Sequence, residues 1–224
     1  MPRLFTYTIP VDDGAAPNPF FGMCSLAICK PGIRRVASID DWIAGLGSKN
    51  APSGDLSDRL VYAMRVEEVL TLEDYDQQAQ KRWPQRIPDI KSLSLQERLG
   101  DCIYDYSNKT AEGEPSLRDS VHGPSNVKTD LGGEKVLISR DFYYFGSRAV
   151  RLPESLRPIC HANQGHRSTS NAPYVNEFIA WIRAGGWTPG QLYGWPDFIL
   201  DWKSRGACGG CNIRENDNQY DPAC

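Results

Sequence analysis

The chain has 224 residues, 40% hydrophobic and 24% charged, with a formal net charge of −3. That is the make-up of a soluble globular protein with one sizeable core, and it excludes a broadly basic surface that coats nucleic acid. No stretch approaches the roughly 20 apolar residues of a membrane-spanning helix. The 7 cysteines, an odd number with no secretory leader, argue against a secreted disulfide framework.

Leu4–Ile9 alternates and is rich in β-branched and aromatic residues, so it predicts a strand. It is too short for a secretory apolar region and no cleavage pattern follows, so the expected location is cytoplasmic. A loop through Asp12-Asp-Gly14 and Pro17-Asn-Pro19 comes next. Ser25–Cys29 predicts a second strand, closed by a Lys30-Pro-Gly turn, and Trp42–Leu46 a third. Leu60–Val66 is the clearest strand, with Leu60, Tyr62, Met64 and Val66 on one face and Val61, Ala63 and Arg65 on the other. Thr71 and Ser94, each followed by an acid three positions on, mark helix N-termini. Lys109–Gly133 is polar and turn-rich and predicts a long loop. Val136–Ser139 and Phe142–Phe145 predict two more strands. Val175, Phe178, Ile179 and Ile182 form one face of an amphipathic helix over Tyr174–Ala184, with Pro173 near its start and Gly185-Gly186 past its end. Strands first and a helix late, without regular βαβ alternation, predict an α+β fold built on a small mixed or antiparallel β-barrel flanked by helices.

Four constellations carry chemistry. Asn18, Phe20 and Phe21, with the cations Lys30, Arg34 and Arg35 and the strand end Gly45–Lys49, could stack on a base and pair with its edge. The same residues also read as core plugs and a solvated turn. Gly165-His166 through Asn171 leads into the last helix, where hydroxyls and backbone N–H groups could hold an anion or simply cap the helix. Cys208-Gly-Gly-Cys211 has half-site spacing for zinc, with Cys160 and His161 as the other half; reduced thiols are the alternative, and no other cofactor is expected. Asp101, Tyr104, His122 and Asp130 could form an acid/base group, although no hydrolase, zinc-protease or phosphate-loop pattern is present. With no evident nucleophile and base, recognition ranks before catalysis.

Thr6-Tyr-Thr8, Ala16-Pro-Asn-Pro-Phe-Phe-Gly-Met-Cys24, Cys29-Lys-Pro-Gly-Ile-Arg-Arg35, Asp41-Trp-Ile-Ala-Gly45 and Leu60-Val-Tyr-Ala-Met-Arg-Val66 together resemble the second family of nucleotide-modification-associated domains of bacteria and phages. Gly100-Asp-Cys-Ile-Tyr104, Phe142-Tyr-Tyr-Phe-Gly146 and Gly165-His166 extend the likeness. The layout is also similar to the EVE and ASCH members of the PUA-like group, where a small barrel accepts a base between barrel and helices; here Asp40 stands where that pattern has Gly. The resemblance implies a domain over residues 1–186 and a Cys-rich extension over 187–224. It implies recognition of a nucleotide, or of DNA carrying a modified base, in a DNA-modification or defence system. The expected ligand set is Asn18, Phe20, Arg34, Arg35, Trp42, Ser48, Lys49, Tyr104, Tyr144 and His166. The alternatives are an enzyme of base hypermodification or nucleotide hydrolysis using Asp101, His122 and Asp130, and a protein-interaction accessory.

Overall fold

The structure is a computed structural model that describes residues 1–161 and 165–197. Among the described residues, twelve strands and five α-helices follow in chain order. The first part holds β1 (Leu4–Ile9), β2 (Cys24–Leu26), α1 (Pro31–Val36), β3 (Trp42–Gly47), β4 (Arg59–Arg65), β5 (Glu68–Thr71) and α2 (Leu72–Arg82). Then come α3 (Leu95–Arg98), β6 (Tyr104–Lys109), β7 (Pro115–Leu117), α4 (Val127–Leu131), β8 (Lys135–Ser139) and β9 (Phe142–Tyr144). The last are β10 (Val150–Arg151), β11 (His166–Arg167), α5 (Val175–Ala184) and β12 (Gln191–Leu192).

The main sheet runs β11-β1-β3-β4-β9-β12, with β10 also on β4, and a smaller sheet runs β2-β8-β5. The α+β expectation holds, but among the described residues no closed barrel forms. Both edges of the main sheet are two-residue strands that pair on one side, β11 with β1 and β12 with β9, so the sheet stays open. β1 and β3 are parallel, and the chain between them supplies β2 and α1.

Alternation along the central strands builds two cores, because successive side chains leave opposite faces of a sheet. Phe5, Tyr7, Ile43, Tyr62 and Met64 meet Cys24, Leu26, Ile33 and Leu137 of the small sheet and α1. Leu4, Trp42, Ala44, Ala63 and Tyr143 meet Phe178 and Ile182 of α5. On its far side the small sheet packs Val136 and Ile138 against Leu72, Tyr75 and Ala79 of α2. The layers are therefore α5, main sheet, small sheet and α2.

Two face assignments fail. Leu60 sits in the α5 core, and Val61 joins Tyr62 and Met64 facing the small sheet. Leu46 pairs with Leu60 although Gly45 pairs with Tyr62, so Val61 is an extra residue in the ladder. A bulge of this kind reverses the side chains beyond it. The capping expectations do hold: Thr71 and Ser94 accept from the backbone N–H groups of Asp74 and Glu97. By contrast α5 has no side-chain cap, because a 3-10 turn over Thr169–Tyr174 leads into it. The expected long loop is also more ordered than its polarity suggests: β7, a 3-10 turn over Pro124–Asn126 and α4 lie within it, and Asp130 lies in α4.

Candidate active site

Cys29 sits at the corner where β2 gives way to α1. Two successive residues with a Cβ, Cys29 (φ 56) and Lys30 (φ 43), take the left-handed backbone, a conformation held only where surrounding structure enforces it. Pro31 then opens α1, where its fixed φ suits the first helical position. A sharp strand–turn–helix corner of this kind is how several hydrolases display a nucleophile.

Arg34 and Asp130 hold the corner in place. The Asp130 carboxylate accepts from the Cys29 N–H at 2.7 Å. Arg34 is fully buried and reaches back along the turn. Its Nε donates to the Cys29 carbonyl at 2.7 Å, and its Nη1 to Ala27 and Lys135 at 2.7 and 2.9 Å. Its Nη2 donates to the carbonyl of Asp130. Burial lowers the Arg34 pKa, and the Asp130 carboxylate works against that shift. The guanidinium needs Gly133 beneath it, since a Cβ there would stand 2.2 Å from Arg34 Cζ.

His122 completes the group. Its Nδ1 lies 2.5 Å from Asp130 Oδ2 and its Nε2 lies 3.4 Å from Cys29 Sγ. Tyr104 Oη donates to the same Asp130 oxygen at 3.0 Å. Both His122 and Cys29 are buried, at 4% and 7% exposure. Burial alone would disfavour an imidazolium. The Coulombic pull that Cys29 exerts in its ionised form and the hydrogen bond to Asp130 outweigh it and raise the His122 pKa well above its ordinary value. As an imidazolium, His122 donates from Nδ1 to the carboxylate and from Nε2 to the sulfur.

The same three residues offer ligand atoms within 4.8 Å of one another, and zinc accepts such a set. Here, however, the carboxylate and the thiol meet opposite nitrogens of one ring. That suits a proton relay better than three ligands converging on one ion.

Over residues 1–205 the chain matches the family model described as nucleotide modification associated domain 2. The chain belongs to this family. No curated protein and no solved structure matches it. The family implies involvement in nucleotide-modification systems. No helix among the described residues is long and apolar enough to cross a membrane.

The other expected site residues scatter through this family member. Asn18 is fully buried; its amide donates to Leu99, and its oxygen accepts from Phe20 N–H and from Arg86. Phe20 packs in the core beside Ile28, Leu99 and Tyr104. Arg86 donates to the carbonyls of Asn18, Phe20 and Met23 and to Ser25. Asp101 belongs to that cluster, accepting from Ser25 and from Tyr75 at 2.5 and 2.7 Å. Trp42 lies against Phe178 under α5. Exposed Arg35 donates to the Gly132 carbonyl. Ser48 and Lys49 lie at the end of β3, with Lys49 exposed. His166 stacks at a tilt on Phe5. Of the suggested zinc residues, Cys160 and His161 follow a 3-10 turn over Glu154–Ile159, where His161 Nε2 is 3.2 Å from the Thr6 carbonyl. Cys208 and Cys211 lie outside the described residues.

The loop after β1 adds two buried carboxyls, Asp12 and Asp13. Burial raises the Asp13 pKa, the nearby Cys29 raises it further and His122 opposes. Asp12 accepts from Tyr144 Oη at 2.6 Å. Burial pushes its pKa up to about 7, with the Tyr144 hydrogen bond opposing. In the folded protein this carboxyl keeps its proton to about pH 7, whereas an unfolded Asp loses it near ~4. Stability is therefore full below about pH 4, falls as pH rises towards 7 and then levels, a total of about 4 kcal/mol. Asp12→Asn should flatten that slope. Thermal melts should place the variant above the wild type by several degrees at alkaline pH and level with it at acid pH.

Proposed function

We propose that this protein is a thiol-dependent enzyme of nucleotide-modification systems. Cys29 is its nucleophile, His122 its general base and acid, and Asp130 the residue that orients His122. One observation carries the reading: a single buried imidazole reaches Asp130 through Nδ1 and Cys29 through Nε2. This is the arrangement that activates a weak nucleophile. The family supplies the class of molecule, and the geometry supplies the chemistry.

The reaction class it supports is acyl transfer to water. The Cys29 thiolate adds to the carbonyl carbon of an amide or ester carried on a modified nucleobase. The C–N or C–O bond breaks, and the His122 imidazolium gives its proton to the departing amine or alcohol. Water, deprotonated by His122, then cleaves the thioester and the thiol pair is restored. Asn18 and Phe20, the residues best suited by type to read a base, spend their polar and aromatic groups on the interior, which moves weight from recognition to catalysis.

The test is a panel of N-acylated and ester-bearing nucleosides, followed by intact-protein and peptide mass spectrometry after acid quench. The expected result is an acyl-mass adduct on the Cys29 peptide, absent in Cys29→Ala. Turnover that survives in Cys29→Ala would refute the thiol mechanism. Binding of modified nucleosides with no adduct under any condition would return the protein to a recognition role.

A further inference from the structure

A cleft of about 690 Å³ opens beside the catalytic group, between Ile90–Lys91 and the 117–124 segment. That volume falls within the ~300–1,000 Å³ of small-molecule sites. Within its lining Val121 and His122 are buried, Ile90, Leu117 and Gly123 are half-buried, and Lys91 is exposed. The space above Gly123 is open: its backbone is extended (φ −111, ψ −176) and a Cβ there would meet nothing within 4 Å.

We propose that this cleft is the substrate site of the thiol centre and that it takes a nucleoside monophosphate, free or within a strand. The base lies against Ile90, Leu117 and Val121, and the phosphate points to Lys91. Two features favour that ligand. Ile90, Leu117 and Val121 bring apolar side chains to the lining, which accept a flat ring. Arg118, also in the lining, already pairs with Asp76 and Asp105 at 2.7 and 3.3 Å, so the anionic group falls to Lys91. The acyl chemistry at Cys29 rests on the thiol-enzyme reading; occupancy of the cleft is a separate claim.

Calorimetric titration of the four deoxynucleoside monophosphates and their nucleosides tests it, with the wild type, Cys29→Ala, Gly123→Trp and Lys91→Glu. At least one monophosphate is expected to bind the wild type and Cys29→Ala alike. Gly123→Trp, which fills the cleft from an unstrained position, should weaken binding by at least about tenfold. Lys91→Glu should weaken the monophosphate by about tenfold and leave its nucleoside unchanged. Melting curves confirm that each variant folds. No binding of any monophosphate at millimolar concentration, or undiminished binding by Gly123→Trp, would overturn the assignment. Alkylation of Cys29 on the same samples separates the two claims. Binding with an unreactive Cys29 removes the thiol mechanism and keeps the cleft, and a reactive Cys29 without binding does the reverse.

Discussion

Replacing His122 with alanine should slow alkylation of Cys29 by iodoacetamide about tenfold near pH 6. An unassisted thiol with a pKa of about 8.5 is only about 0.3% thiolate there, whereas His122 3.4 Å from the sulfur supports the ionised form. The gain in thiolate is on the order of a hundredfold, and the lower nucleophilicity of a stabilised thiolate takes back about a factor of ten. Above about pH 9 the order should reverse, because both thiols are then ionised and the unassisted thiolate is the more nucleophilic. Peptide mapping isolates the Cys29 signal from the other six cysteines. Equal rates at both pH values would show that the imidazole does not activate the sulfur.

Arg34→Met should destabilise the protein by about 4 kcal/mol, which in a chain of this size lowers the melting temperature by roughly 8–16 °C. The loss is large because the guanidinium serves four backbone carbonyls, those of Ala27, Cys29, Asp130 and Lys135. Methionine matches much of the volume and none of the hydrogen bonds, and each buried carbonyl left without a donor costs about 1–3 kcal/mol before relaxation. The variant should also lose Cys29 reactivity out of proportion to its stability, since Arg34 joins the Cys29 corner to Asp130. Arg34→Lys should recover little of either, because an ammonium lacks the planar fork. A melting point within about 2 °C of the wild type would contradict this role.

Much of the fold is legible from local pattern. β1, β3, β4 and α5 each carry enough alternating or helical apolar residues to declare themselves, and Thr71 announces α2 through its cap. Features set by tertiary contact are not legible. The bulge at Val61 depends on how β3 residues pair around it, so Leu60 and Val61 change face without any local sign. α1 is six residues long and opens with Pro-Gly, which reads as a turn. The open sheet follows from two very short edge strands that periodicity does not register. Within the polar stretch after Tyr104, His122 and Asp130 stand out by residue type as an acid/base pair, and the structure sets them 2.5 Å apart. Cys29 did not stand out, because its partners lie 93 and 101 positions away. A signal was nonetheless present: a cysteine closing an apolar strand directly before Lys-Pro-Gly, the composition of a tight strand-to-helix corner.

The proposed mechanism turns on one ion pair, the Cys29 thiolate with the His122 imidazolium. Its most direct test is the ultraviolet thiolate absorbance, followed from pH 5 to pH 10 as the difference between wild type and Cys29→Ala. The mechanism predicts thiolate absorbance already present near neutral pH in the wild type, and its retreat into the ordinary thiol range, at about 8.5, in His122→Ala. A wild-type signal that emerges only above about pH 8, unchanged by His122→Ala, would contradict it.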